Sequence, residues 1–427
     1  MPRLAIRNGR VIDPASGLDS VCDVLIDTGR IAAVGPNLDI GGAEEFDATG
    51  LVVAPGFIDM HVHLREPGFE YAETIETGSR AAAAGGFTSI CPMPNTSPVN
   101  DSATVTSYIV ERASRHAVVN VFPIGAITRN SAGEELAAIG SMKQAGIVAI
   151  SDDGRPVMNA RVMRRAMETA HSFGIPVIDH CEDLHLSAGG DMHEGLESVR
   201  LGLRGIPGAS EDVMVARDIL LAELTGANFH VAHISSRHSV EMVAFAKARG
   251  IAVTCEATPH HFSLADENMA PYDSNFKMKP PLRSACDVGA VTSGIISGAV
   301  DAIATDHAPH AGSEKMQEFE KCPFGIIGLE TAIGLTLERL VHPGRITLAR
   351  MIDLFTRGPA QILNLEHRGR IATGAAGDLT IINTERIWTY DVNNSESKSR
   401  NSPFHGHTFR GGPVATIVGG SVVWRES

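Results

Sequence analysis

Asp59-Met60-His61-Val62-His63-Leu64-Arg65-Glu66-Pro67 follows the run Leu51-Val52-Val53-Ala54-Pro55-Gly56-Phe57-Ile58. The apolar, Pro/Gly-bounded lead-in is that of a buried strand, and the polar residues close it. On an extended strand alternate side chains share a face, so Asp59, His61 and His63 point one way. Two imidazoles about 6–7 Å apart along the backbone can lean onto one ion at roughly 2.0–2.1 Å per bond. A lone His-x-His pair is weak as a signal, so the rest of the chain must supply the other ligands.

The same pattern recurs. Apolar runs ending in polar residues fall at 57–63, 88–95, 118–127, 146–153, 176–183, 228–235, 251–260 and 299–307. They alternate with Ala-rich, helix-permissive segments such as 73–84, 159–173, 211–224 and 239–249. Eight β/α units suit a closed parallel (β/α)8 TIM-like barrel, although a doubly wound open sheet can also use eight strands. Placement decides between them. A barrel gathers chemistry at the C-terminal ends of many strands, whereas an open sheet concentrates it at one switch point. His61/His63, Asn95, Asp153, His180, His233 and Asp306 close six different runs, which favours the barrel. Short strands with turns at both ends of the chain predict a small flanking β-sandwich domain from residues 1–54 and 375–427, with the barrel over 55–374.

Composition narrows the class. The chain has 427 residues and a formal charge of −14, which argues against nucleic acid or an anionic membrane as partner. No apolar run is long enough to span a bilayer, and the first eight residues are too polar for a signal peptide. The six scattered cysteines contain no Cys-x-x-Cys pair and fit a reducing interior, so the cytoplasm is the expected location. An anionic substrate would need local cations to overcome the overall field.

The candidate metal ligands are His61, His63, Asp153, His180, His233 and Asp306. Each alone has a blander reading, as a hydrogen-bonded structural histidine or an aspartate N-cap. Together, at strand ends, they form the ring of N and O donors that Zn²⁺ needs. Four imidazoles and two carboxylates exceed one open tetrahedral site and suit two ions about 3.5–4 Å apart. His61, His63 and Asp306 are assigned to one ion, His180 and His233 to the other, with Asp153 between them.

With these residues in place, the chain resembles the dihydroorotases of the cyclic amidohydrolase group from end to end. The likeness rests on Asp59-Met60-His61-Val62-His63-Leu64-Arg65-Glu66-Pro67-Gly68 and on Ala304-Thr305-Asp306-His307-Ala308-Pro309-His310, with Lys315 beyond. The resemblance implies a distorted barrel, a flanking β domain, two zinc ions per subunit, and reversible cyclisation of N-carbamoyl-L-aspartate to L-dihydroorotate in de novo pyrimidine (UMP) synthesis. There are two departures. Many relatives bridge their metals with a carbamylated lysine, but Ile147-Val148-Ala149-Ile150-Ser151-Asp152-Asp153-Gly154 has none. Asp153 must then bridge, with Asp152 as its rival. Lys279 stands where an asparagine that holds substrate is more usual.

The substrate side follows from charge. Arg65, two residues beyond His63, offers a bidentate fork to the surviving carboxylate of dihydroorotate. Asn95 can donate its amide, His310 adds a contact, and Phe324 and Gly325 can offer backbone groups, with His63 and Lys279 completing the substrate set. Asp306 is the expected catalytic group, taking the proton of the attacking water and passing it to the leaving nitrogen. The charged segment 311–321 reads as a loop or solvated helix that could close on substrate. His405-Gly406-His407, His260-His261, His307 and Cys181 are set aside as structural or wrongly facing. The rivals are a hydantoinase or allantoinase, and an inactive subunit that scaffolds aspartate transcarbamoylase. A homodimer and an association of the active enzyme with that transcarbamoylase stay open.

Overall fold

The computed structural model describes residues 3–426. Phe57–Val62 starts a parallel barrel, pairing with Phe87–Pro92, which pairs with Asn120–Val121. Val177–Asp179, Phe229–Val231, Val253–Ala257 and Ala302–Ile303 continue it, again in parallel. Parallel bridges from Gly125 to Ile150 and from Ile150 to Val177 join the two arcs, and a bridge from Val62 to His307 closes the ring.

The fourth run, expected as a strand over 146–153, is reduced to the bridges at Ile150. Its neighbours explain this. Val148 donates to the carbonyl of Pro123 and Ile150 to that of Pro176, and neither proline has an N–H to donate to a longer ladder. The backbone is still held on both sides, because Ser151 donates to Gly125 and Ile178 donates to Ile150.

Helices cover the barrel. Ile75–Ala84 starts at Thr74, whose hydroxyl accepts from the Thr77 backbone N–H, and ends at Gly85. Its buried Ile75, Ala81, Ala82 and Ala83 join Phe87, Phe229 and Phe355 in the main core. Phe57 stacks on Phe355 with centroids 5.0 Å apart, a contact of about 0.5–1.5 kcal/mol beyond burial. A separate cluster, with Cys91, Ile178, Ala232, Ala302 and Ala304, lies one alternation below the polar strand ends.

The two termini build one sheet of eight strands. Leu4–Asp13 pairs antiparallel with Leu18–Asp27 and parallel with Glu44–Asp47 and Val52–Pro55. Leu379–Thr389 pairs antiparallel with Val52–Pro55 and with Thr408–Val418, which in turn pairs with Ser421–Arg425. Ile6, Val24, Val53, Ile381 and Ile417 are buried in a core of their own. The chain leaves this sheet at Pro55 and enters the barrel at Phe57.

Candidate metal centre

All six candidate ligands meet. His63 Nε2 lies 3.1 Å from Asp306 Oδ1, and His61 Nε2 lies 3.5 Å from the same oxygen. Asp153 Oδ1 is 3.3 Å from His61 Nε2, 3.7 Å from His180 Nδ1 and 3.7 Å from His233 Nε2. Its Oδ2 is 3.5 Å from His63 Nε2. The carboxylate thus sits between a His61/His63/Asp306 half and a His180/His233 half, whose ring nitrogens face each other at 2.8 Å. Separations near 3.3 Å are roughly the edge of a tetrahedron with bonds of about 2.0–2.1 Å. Among the described residues, His61, His63 and Asp306, and His61, Asp153 and His233, form buried groups suited to a cation. Asp152, the rival, turns away and accepts from the backbone of Ile127 and Thr128.

The backbone carries strain at this mouth. His233, Asp306 and Arg65 have φ of 31°, 48° and 59°, a region that side-chain-bearing residues seldom occupy. Such conformations cost on the order of 1–3 kcal/mol each and persist where surrounding structure enforces them.

The electrostatics ask for positive charge. His61 Nε2 and Asp153 Oδ1 are buried without a hydrogen-bond partner among the described residues. Burial pulls the His61 imidazole down, but Asp153 and Asp306 outweigh it and push its pKa well above the usual value. Burial works the other way on the two carboxylates, yet His61 and its fellow imidazoles hold both well below the usual range. A group of buried anions that recruits protons onto imidazoles in this way fits a cation cluster, in donor type as well as in charge.

Supporting groups orient the ligands. Glu256, fully buried, lies 2.7 Å from His61 Nδ1 and 3.3 Å from His230 Nε2. Opposed by burial but favoured by His230 and His61, its pKa falls to about 2. Asn95 Oδ1 lies 2.9 Å from His63 Nδ1, and Glu182 Oε2 lies 3.0 Å from His180 Nε2. His61, His63 and His180 therefore have their outward nitrogens fixed, which sets the tautomer that turns the other nitrogen inward, whereas His233 Nδ1 is buried without a partner among the described residues. Asp59, expected on the ligand face, instead accepts from the backbone and hydroxyl of Thr305 and ties the first strand to the eighth.

The substrate set gathers on one side. Arg65 Nε donates to the Pro309 carbonyl, and Nη2 lies 3.4 Å from His310 Nε2. His310 Nε2 donates to the Phe324 carbonyl at 2.8 Å, and burial with Arg65 and Lys315 nearby lowers its pKa to about 3, so the ring is neutral. Lys279 Nζ is held by Glu182 Oε1 at 2.9 Å and lies 5.1 Å from the Phe324 ring centroid. The charged segment after the eighth strand is tied down at Lys315, whose Nζ donates to the carbonyls of Pro323 and Gly325. Burial lowers that ammonium to about 8.

Sequence reasoning missed Glu256, Glu182 and Asn401. Alternation along 251–260 does place Glu256 inward, and Glu182 is two residues past His180. Asn401 gives no such signal. Its Nδ2 donates to the carbonyls of Ala308 and Gly325 at 2.9 and 3.0 Å, and its Oδ1 accepts from His310 N at 3.2 Å. The residues set aside behave variously. His307 bonds Glu73, His407 bonds Glu338, and Cys181 lies with Asp179 behind the site. His260 is buried with its Nε2 unpartnered among the described residues.

A barrel with acidic and imidazole ligands at its strand ends defines the amidohydrolase class, and solved structures agree. An L-hydantoinase (dihydropyrimidinase) from Arthrobacter aurescens superposes with a TM-score of 0.91 at 24% identity, over 100% of this chain and 97% of its own. A D-hydantoinase from a Bacillus sp. AR9 gives 0.86 at 27% identity, over 99% and 95%. An amidohydrolase family model matches residues 296–424, and a dihydro-orotase-like family model matches residues 50–239. The chain is 71% identical to a dihydroorotase of Solibacter usitatus over 99% of this chain and 98% of that one. It is 53% identical to a dihydroorotase of Pelotomaculum thermopropionicum over 99% of each. The chain belongs to the dihydroorotase family.

Proposed function

We propose that this chain catalyses the reversible, zinc-dependent interconversion of N-carbamoyl-L-aspartate and L-dihydroorotate plus water, a step of de novo pyrimidine synthesis in the cytoplasm. The observation that carries the reading is the Asp153 carboxylate, set within 3.7 Å of all four histidines. His61, His63 and Asp306 would hold one ion, His180 and His233 the other, and Asp153 both. When bound, the ions would supply a water whose pKa is lowered toward about 7 and an electrophilic contact for the amide carbonyl.

The chain's own groups do the rest. Asp306 is held deprotonated by its imidazole neighbours, and with Oδ1 turned to His63 its second oxygen can take a proton from the attacking water. It then delivers that proton to the leaving ring nitrogen, and in the biosynthetic direction it removes one from the ureido nitrogen. Arg65 keeps its Nη1 free of protein partners among the described residues, and so does Asn95 its Nδ2. Both can meet the substrate carboxylate. His63 borders the same space, and His310, Phe324 and Gly325 flank it. Lys279 reaches this rim with its Nζ ion-paired to Glu182 Oε1 at 2.9 Å.

We take residues 1–54 and 375–427 as the small β domain and 55–374 as the catalytic barrel, supported by the separate core of the terminal sheet. Among the described residues no helix is long and apolar enough to cross a membrane. The test is turnover of dihydroorotate, hydantoin and allantoin by the zinc-loaded protein. Preferential opening of dihydroorotate is expected. Opening of hydantoin with no reaction of dihydroorotate would overturn the reading.

A further inference from the structure

Lys279 lies in Lys277-Met278-Lys279-Pro280-Pro281-Leu282-Arg283, between the helices Pro259–Ser263 and Ala285–Ser297 that follow the seventh strand. Its side chain does not simply project into the pocket. Nζ lies 2.9 Å from Glu182 Oε1, and the other oxygen of that carboxylate lies 3.0 Å from His180 Nε2. Across the imidazole, Nδ1 faces His233 Nε2 at 2.8 Å and Asp153 Oδ1 at 3.7 Å. A neutral imidazole has one N–H, and an ionised carboxylate only accepts. Glu182 therefore fixes the proton on Nε2 and leaves the Nδ1 lone pair turned toward the metal pocket.

Glu182 itself is 4% exposed, and a buried carboxylate needs a compensating cation. Lys279 is that cation. Its ammonium also lies over the Phe324 ring, with Nζ 5.1 Å from the centroid. The three residues form a line from the pocket rim to a ligand: ammonium, carboxylate, imidazole.

We propose that Lys279 is a positioning residue, acting through Glu182 to hold His180 in the orientation that presents Nδ1 to the metal pair. This inference rests on the functional reading above. It gives the lysine a role distinct from a substrate clamp, because the atom that would grip substrate is paired to the carboxylate behind His180.

The test uses the full zinc-loaded chain and the variants Lys279→Met, Lys279→Arg, Glu182→Gln and the double Glu182→Gln/Lys279→Met. Zinc release to a chelator is followed, alongside kcat and KM for dihydroorotate. Loss of an outer partner of a metal-bound histidine weakens metal binding by about 10–100-fold. Lys279→Met is expected to release one zinc faster by about that factor, with lower kcat and KM within about threefold of the parent. Lys279→Arg should restore retention, and the double variant should release zinc no faster than Glu182→Gln alone. Parental zinc retention in Lys279→Met with a raised KM would overturn the proposal in favour of direct substrate contact. Should Lys279→Met fail to fold, Glu182→Gln cuts the same link, and unchanged zinc release there overturns the proposal equally. A parent that holds no zinc or leaves dihydroorotate unopened sinks the functional reading and the proposal together. A loaded, active parent with inert variants sinks the proposal alone.

Discussion

The proposed mechanism places the proton chemistry on Asp306, whose environment keeps it ionised. Burial alone would raise its pKa, but His61 and His63 hold it well below the usual carboxylate range, so it remains a base throughout the neutral range. Asp306→Asn keeps the shape and removes the base. Its steady-state rate on dihydroorotate should fall by about 10²–10⁴-fold while the circular dichroism spectrum is unchanged. A rate near that of the parent would remove Asp306 from the mechanism. Glu256 acts on the ligands instead. Glu256→Gln leaves an acceptor for His61 but removes the charge, and zinc affinity should drop by about 10–100-fold in a competitive chelator titration. The convergence of the six candidate ligands was legible because they close the apolar runs, where alternation and position predict it. Glu256 and Glu182 could be read from the same alternation only once the ligands were chosen. Asn401 was hidden, because its contacts at Ala308, Gly325 and His310 join positions more than 75 residues apart in the chain.

At the scale of elements, the stretch Ser395-Glu396-Ser397-Lys398-Ser399-Arg400-Asn401-Ser402 shows what polar composition conceals. It reads as solvated, yet Ser395, Ser397, Ser399, Asn401 and Ser402 are all buried. Glu73 accepts from the Ser397 hydroxyl and from the Lys398 backbone N–H, and Ser399 donates to the Ala72 carbonyl. The segment is a strap over the barrel mouth, and Asn401 is its contact with the substrate side. Asn401→Ala leaves the Ala308 carbonyl and the His310 N–H without their partner, while Lys315 still donates to the Gly325 carbonyl; at a cost of about 1–3 kcal/mol per orphaned group it should raise KM for dihydroorotate more than it lowers kcat. An unchanged KM would make the strap purely structural.

Glu330 gives the same strap a pH signature. It accepts from the Ser395 hydroxyl and the Glu396 N–H at 2.8 Å each, and burial pushes its carboxyl from the ordinary 4.5 up to about 7. Between those values the folded chain keeps a proton that the unfolded chain has released, so stability declines as pH rises through the window. Melting curves from pH 4.5 to 7 should show a smaller decline in Glu330→Gln than in the parent. An identical slope would assign the decline elsewhere. The fourth strand is shorter than its sequence predicts for a comparable reason of context: its apolar run is real, but Pro123 and Pro176 on its neighbours have no N–H to donate to a longer ladder.

On the scale of the whole molecule, eight β/α units were countable from the sequence, whereas the path of the terminal sheet was not. Short alternating strands at each end announced a β unit, but only the fold shows that Val52–Pro55 joins Leu4–Asp13 to Leu379–Thr389. Pairing partners separated by over 300 residues leave no local trace. The sheet meets the barrel where its strands begin, with Phe57 N donating to Thr380 Oγ1 and Asn120 Nδ2 to Asp378, while the buried carboxylates and imidazoles cluster at the opposite ends. Ions that bind the folded form alone stabilise it by mass action, so stripping them with a chelator should lower the melting temperature and adding zinc should restore it.

The central claim is that the ring around Asp153 holds two divalent cations that the reaction requires. Stepwise return of zinc to chelator-stripped protein, with dihydroorotate opening measured at each addition, tests it most directly. The account predicts negligible turnover without metal and a rate that climbs until two ions are bound per chain. Full turnover by the stripped protein, or a rate that ignores the added zinc, would contradict it.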